Sequence, residues 1–310
     1  MSVWPARHTG SVLVRLAVLA VPAPVFMAQG TPVTAARLDH VAIAVRDLDA
    51  ATTSYTALGF TATPGRLHQN SIRNVFLKLR DGTLLELITA TEARDSLSKW
   101  YLEVLEHREG GAFLALATDS MTAVVDHLTS RDAGFSDTGP GARGFRTVAL
   151  VEPEPLRRVF FIQYLDPPAG SDTMWVHGNT AVGLAAAWLV ARDIAATTRR
   201  LEALGWTAGD VVAMQPLNGL GRAFPMAQGT LILVSPTDLQ GITATFLEQQ
   251  GESIMGVTII VESIVRARQV VASGVGRRFP IGTVYGRGRS FLVPPGLARG
   301  MWIEFLEPEA

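Results

Sequence analysis

From Arg37 to Phe60 the chain reads RLDHVAIAVRDLDAATTSYTALGF. His40 to Val45 alternate sides as a short β-branched strand does. Asp47 is placed as a helix N-cap, and Leu48 to Leu58 repeat apolar residues at helical spacing before Gly59 ends the run. The pattern predicts strand, capped helix, return. It recurs: VRDLDAAT at Val45, ATDSMTAV at Ala117, ARDIAATT at Ala191 and VESIVRAR at Val261 each follow an apolar strand and open a helix. The acidic caps expected for these helices are Asp47, Asp119, Asp193 and Glu262, and each helix ends near a glycine, at Gly59, Gly134, Gly205 and Gly274. Each unit closes on an apolar strand: TLLELIT from Thr83, VFFIQYL from Val159, TLILVS from Thr230 and MWIEFL from Met301. The common unit is therefore strand, helix and about three strands, and a repeat of this length decides the fold before any single motif does. The first and third units match best, LDHVAIAVRDLDAATTSYTALGF beside LAAAWLVARDIAATTRRLEALGW, as a duplicated pair would.

The connecting stretch TEARDSLSKWYLEVLEHRE, residues 91–109, has helical spacing with Trp100, Tyr101, Val104 and Leu105 on one face, and predicts a helix packed across the first half. A Pro-, Gly- and Ser-containing segment from Pro167 to Ala181 marks a boundary. The predicted organisation is a leader at 1–36, a first domain at 37–168, a linker at 169–180 and a second, structural domain at 181–308. The glycine-rich, basic stretch Gly282 to Ser290 lacks the strand-then-helix order of a phosphate loop and reads as a hairpin.

Composition narrows the chemistry. The 310 residues are 48% hydrophobic, enough for a large core and two domains. A net charge of −1 supplies no general basic field, so no nucleic-acid partner is expected. There is no cysteine, which excludes thiol catalysis, disulfides, cysteine zinc sites and lipoprotein anchoring. Any metal must be held by His, Asp, Glu or Gln. At the start of the chain Arg7, His8 and Arg15 precede the apolar run Leu16 to Ala28, with small residues at Ala28-Gln29-Gly30 and Val33-Thr34-Ala35 where a signal peptidase could cut. The run is short and holds Pro22 and Pro24, so a stable membrane span is not expected. This reading is an exported protein, periplasmic or extracellular; an irregular leader on a cytoplasmic protein is the alternative.

Four such units resemble the vicinal oxygen chelate superfamily, and LDHVAIAVRDLDAA, TPGRLHQNSIRNVFLKLRDGTLLELI and FFIQYLDP followed by HGNTAVGL resemble its glyoxalase-like domain proteins. The resemblance implies an α+β fold of tandem βαβββ modules forming two glyoxalase/bleomycin-resistance-like domains. In such folds curved sheets pair into a cup, and side chains of the first and last strand of each module can ligate a metal. The offset of His40 from its cap selects Ala112, Ala186 and Met255 in the other units, and the matching closing positions are Glu86, Gln163, Leu233 and Glu304. If consecutive modules pair, the implied metal set is His40, Glu86 and Gln163; if the first and fourth pair, it is His40, Glu86 and Glu304. One imidazole, one carboxylate and one amide suit zinc, nickel, manganese or iron, with positions open to substrate. Tyr164 stands where the resembling group has histidine.

The implied function is a divalent-metal-dependent lyase or isomerase acting on a small carbonyl compound, with Glu86 also taking the proton. The alternative is a non-catalytic protein that binds a drug-like or aromatic small molecule, and a weaker one is a ring-cleaving dioxygenase, whose second histidine is missing. His68, Asn70 and Asn74, in a polar loop entering a strand, and His177 with Trp175 and Asn179 in the linker, are the further polar residues near the cup. Of these His68, Asn74 and His177 are the substrate-binding candidates. The plain readings stay open: His40 as a core histidine bonded to backbone, Glu86 paired with Arg73 or Arg80, Gln163 bonded to backbone.

Overall fold

The repeat in the sequence is a repeat in space. In the computed structural model, which describes residues 31–139, 144–165, 175–282 and 288–309, the first unit is β1 (Arg37–Ala44), α1 (Leu48–Ala57), β2 (Thr63–Leu67), β3 (Ile72–Lys78) and β4 (Leu84–Ala90). After α2 (Ser96–His107) the second is β5 (Gly110–Ala117), α3 (Met121–Ser130), β6 (Phe135–Asp137), β7 (Phe145–Leu150) and β8 (Val159–Tyr164). The third is β9 (Ala181–Val190), α4 (Ile194–Ala203), β10 (Val211–Met214), β11 (Gly219–Pro225) and β12 (Thr230–Pro236). Beyond α5 (Ile242–Gln250) come β13 (Ile254–Val261), α6 (Ile264–Val275), β14 (Arg289–Val293) and β15 (Trp302–Glu307). The apolar run assigned from sequence to a leader, residues 169–174 of the expected linker and residues 283–287 lie outside the described residues. Backbone bonds between Gly282 and Ser290 close the base of the expected hairpin.

In every unit the opening strand runs parallel to the closing strand, β1 with β4, β5 with β8, β9 with β12 and β13 with β15. The units then join through antiparallel opening strands, β1 with β5 and β9 with β13. Consecutive units therefore pair, so Glu304 belongs to the other half from His40. No described helix is long and apolar enough to cross a membrane.

Alternation puts every second strand residue on each face. Val41, Ile43, Leu85, Leu87, Leu114, Leu116 and Phe161 point to the face covered by α1, α3, α4 and α6, in one core shared by both halves. On the other face Ala42, Ala44, Ile72, Ile88, Ala90 and Ala112 pack under Tyr101 and Leu105 of α2, as the helical spacing predicted. In the second half α5 does the same with Phe246 and Leu247, over Trp188, Ile232 and Met255. Residues 31–36, assigned from sequence to the leader, are folded onto the second half. Val33 and Ala36 are fully buried, and the Ala227 amide donates to the Thr34 and Ala36 carbonyls.

Two of the four expected caps hold, Asp47 and Asp193, whose carboxylates accept from the Ala50 and Ala196 amides. In the other two units the cap is the next residue, Ser120 and Ser263. A serine oxygen does the same work as a carboxylate there, and Asp119 instead forms an ion pair with Arg37 and Glu262 one with Arg80. That one-residue difference moves the predicted cup positions.

Candidate functional site

Strand register fixes which residues are equivalent. Ala44 pairs with Ile88, Ala117 with Ile162, Val190 with Val234 and Ile260 with Leu306. Counting back along each pair makes His40, Phe113, Ala186 and Gly256 equivalent, and likewise Glu86, Phe160, Ile232 and Glu304. Ala112 and Met255, selected from sequence, are the neighbours of two of these, and Gln163 and Leu233 point to the opposite face. Each opening strand carries a bulge at the residue before this position: the register slips at Asp39 on β1, at Ala112 on β5, at Ala185 on β9 and at Met255 on β13. A bulge turns two consecutive side chains toward the same side. On β1 those two are Asp39 and His40.

His40 Nδ1 donates to Asp39 Oδ1 at 2.5 Å, and Tyr164 on β8 donates its hydroxyl to the same oxygen at 2.9 Å. On the other side of the ring Nε2 faces Glu86 Oε2 at 3.6 Å. The second carboxylate oxygen, Oε1, accepts from Asn74 Nδ2 at 2.7 Å, and Asn74 in turn accepts from the Arg66 amide. His40, Asp39 and Asn74 are buried. Glu86 therefore has polar partners other than Arg73 or Arg80; the latter is engaged by Glu262. A carboxylate at this depth without such partners would cost several kcal/mol.

The electrostatics follow from this order. Burial pulls the His40 imidazole down, but the Asp39 hydrogen bond and the charges of Asp39 and Glu86 outweigh it and leave it above its ordinary value. Burial and the neighbouring Asp39 charge push the Tyr164 phenol up, so it stays a donor. Tyr101, buried against the same site, is raised by burial and by Glu86.

The opposite wall is aromatic. Phe160 meets His40 edge-on with centroids 5.7 Å apart, Phe113 lies 6.3 Å from Phe160, and Trp100 and Tyr101 of α2 reach Phe113 at 4.5 and 6.0 Å. The first cup thus pairs one polar edge with one apolar wall.

Its fit to a metal ion can be read from the donors. Asp39 and Asn74 hold the far atoms of His40 and Glu86, leaving Nε2 and Oε2 turned toward each other, as outer partners of ligating groups do. Those two atoms suit one divalent ion, with further positions for water or substrate. Phenyl rings occupy the two equivalent positions of the second unit. No group of three or more His, Cys, Asp or Glu side chains is placed to hold one ion among the described residues.

Gln163 and His177 are bonded elsewhere. Gln163 accepts from the Met121 amide at 3.1 Å and donates to the Asp119 carbonyl at 3.0 Å, tying down the start of α3. His177 accepts at Nδ1 from the Thr61 amide and donates from Nε2 to the Lys78 carbonyl, with burial lowering its pKa, and stacks edge-on against Phe60. Both of its nitrogens tie the linker to the first half. Asn179 is buried with its amide on the Leu58 carbonyl. His68 and Asn70 sit in the β2–β3 connection, and Asn70 donates to Asp95, the N-cap of α2. Asn74 reaches the pair through Glu86. Asp39 is the member of the network that alternation hides, because only the bulge brings it round to the histidine.

The equivalent place in the second half is built differently. Glu304, fully buried, accepts from Thr258 at 2.9 Å, and the Thr258 oxygen accepts from the Trp188 indole at 3.1 Å. Burial pushes its carboxyl up to about 7, partly countered by the Ser290 and Thr258 hydroxyls. Ala186, Ile232 and Gly256 fill the remaining equivalent positions.

Comparison with known proteins agrees with this architecture. A profile described as glyoxalase-like domain matches residues 38–205, more than half of the chain. A triple mutant of 4-hydroxymandelate synthase from Streptomyces coelicolor is similar in structure, with a TM-score of 0.62 at 13% identity over 88% of this chain and 93% of that one. A hypothetical protein from Staphylococcus aureus gives a TM-score of 0.55 at 11% identity over 88% and 99%. A xylose isomerase-like TIM barrel/4-hydroxyphenylpyruvate dioxygenase fusion protein gives 0.61 at 12% over 88% of this chain and 49% of that one. At these identities the likeness is one of fold. No protein among the curated ones matches the sequence.

Proposed function

We propose that this chain, which belongs to the glyoxalase-like domain family, is a lyase or isomerase acting on a small carbonyl compound in its first cup, where His40 and Glu86 hold a divalent metal ion. The observation that carries this reading is the pair of donors, Nε2 of His40 and Oε2 of Glu86, 3.6 Å apart with their far atoms occupied by Asp39 and Asn74. When bound, the ion supplies Lewis-acid polarisation of the substrate carbonyl. Glu86 takes the proton from the carbon beside that carbonyl and returns it. Asn74 fixes the carboxylate by Oε1, which leaves Oε2 as the one oxygen that would serve both the ion and the proton. Asp39, itself held by Tyr164, keeps the His40 proton on Nδ1 and the ring in place. Phe113, Phe160 and Trp100 give the substrate an apolar wall and exclude water from that side.

The test is exchange of substrate carbon-bound protons with deuterated water, followed by NMR over a panel of small hydroxycarbonyl compounds. Exchange in the wild type that disappears in Glu86→Gln supports the reading; exchange that persists in Glu86→Gln overturns it. A second reading, a protein that binds an aromatic small molecule without turning it over, is favoured by one observation. Phe113 and Phe160 stand where two further ligands would. Saturable binding of aromatic compounds with no exchange would decide for it. A ring-cleaving dioxygenase needs a second histidine, and Phe113 occupies the equivalent position.

A further inference from the structure

The chain is nearly neutral as a whole, yet between Glu262 and Glu304 it holds seven arginines and no acidic residue. The fold gathers three of them around one groove of about 610 Å³, formed where the residues after α6 turn back along its outer face. Val265, Arg268, Gln269, Ala272, Ser273 and Gly276 recur at helical spacing along that face, and Arg277, Arg278 and Phe279 form the other side. The size suits a small ligand. Ala272, Ser273 and Gly276 keep the floor low, because larger side chains there would fill the groove.

Arg268 is half-buried, while Arg277 and Arg278 are exposed. None of the three forms an ion pair among the described residues, whereas Arg37, Arg80, Arg94, Arg146, Arg158 and Arg200 all do. The guanidinium of Arg277 lies 5.8 Å from the Phe279 ring centre, which holds it without neutralising it. The nearby carboxylates are engaged elsewhere: Glu262 pairs with Arg80, and Glu307 accepts from the Ile264 amide at the opposite end of α6. The C-terminus of α6 carries a partial negative charge that one arginine would offset. Two remain in excess of that need. Guanidinium forks recognise phosphate through paired hydrogen bonds, and several converging on one groove favour an anion with more than one charged group. The exposed Val265 beside them gives an apolar contact for the rest of such a molecule.

We propose that this groove is a binding site for a small molecule bearing a diphosphate, with Arg268, Arg277 and Arg278 holding the anionic groups. The experiment is calorimetric titration of the full chain with inorganic pyrophosphate and, separately, with orthophosphate and a short single-stranded oligonucleotide, at low and at physiological salt. Expected is saturable pyrophosphate binding that is stronger than orthophosphate binding and weakens about tenfold in Arg277→Ala/Arg278→Ala, two exposed positions whose loss leaves the core intact. Arg268→Gln weakens it similarly, and Arg199→Ala, which removes the same charge from an exposed site on α4, leaves it unchanged. The proposal is overturned by absence of saturable pyrophosphate binding, or by equal weakening in Arg199→Ala. It is also overturned if the oligonucleotide alone binds through these arginines, which would make the groove part of a polymer-binding surface.

Discussion

The two halves share a strand plan and differ in what it carries. In the first, the bulge on β1 presents Asp39 and His40 together, and Tyr164, Asp39, His40, Glu86 and Asn74 form one connected polar series. In the second, the corresponding bulge presents Ala185 and Ala186, and a single carboxyl is sealed under Trp188 and Thr258. Where a buried acid has a histidine and an amide beside it, one oxygen is held by the amide and the other faces the imidazole. Where hydroxyls and an indole enclose it, burial favours the protonated form and the group serves packing. The same backbone therefore carries a connected polar series in one half and a single sealed carboxyl in the other by exchange of a few side chains, as expected when function lives in sites rather than in folds.

The largest effect that sharpens this contrast is on the structural side. Trp188 is fully buried in the second half, and Trp188→Ala is expected to lower stability by about 3–5 kcal/mol in urea unfolding, with metal binding in the first cup retained in the folded protein. A loss of metal binding there would show that the halves are not separable in role. Next comes pH. Because Glu304 is pushed up to about 7 from an ordinary 4.5, the folded state holds its proton more tightly than the unfolded chain. The stabilisation is complete below about pH 4.5 and is lost as pH rises through about 7, by about 3 kcal/mol. In Glu304→Gln this part of the pH dependence should flatten, and a profile identical to the wild type would refute the assignment.

Smaller effects address the first cup. Asp39→Asn should weaken metal affinity by about 10- to 100-fold while leaving the fold intact, since it disturbs the partner that orients the ligating ring; an unchanged affinity measured by competition with a chelator would remove Asp39 from the account. Gln163→Ala should lower stability by about 1 kcal/mol through loss of the bonds at the start of α3, with metal content unaltered. Metal lost with Gln163 would reinstate it as a ligand against the geometry.

The α+β repeat, the helix α2 and its inward Tyr101 and Leu105 were legible because apolar period is a strong signal over long segments. The pairing of His40 with Glu86 was legible from the repeat as well. Asp39 was not, because alternation assigns neighbours to opposite faces and a bulge cannot be seen in a pattern of apolar residues. The serine caps Ser120 and Ser263, each one residue after the expected acidic cap, displaced the equivalent positions onto Ala112 and Met255, where Phe113 and Gly256 belong. Gln163 and His177 were plausible by residue type alone; their amide and imidazole are taken up by backbone groups that only the folded chain brings near.

The most direct test of the central claim is elemental analysis of the full chain purified without a histidine tag, set beside His40→Ala and Glu86→Ala. A stoichiometric divalent transition metal is expected in the wild type, or after reconstitution, and is lost in both folded variants. A wild type that takes up no metal, or variants that keep it, would contradict the assignment of His40 and Glu86 as the pair that holds the ion.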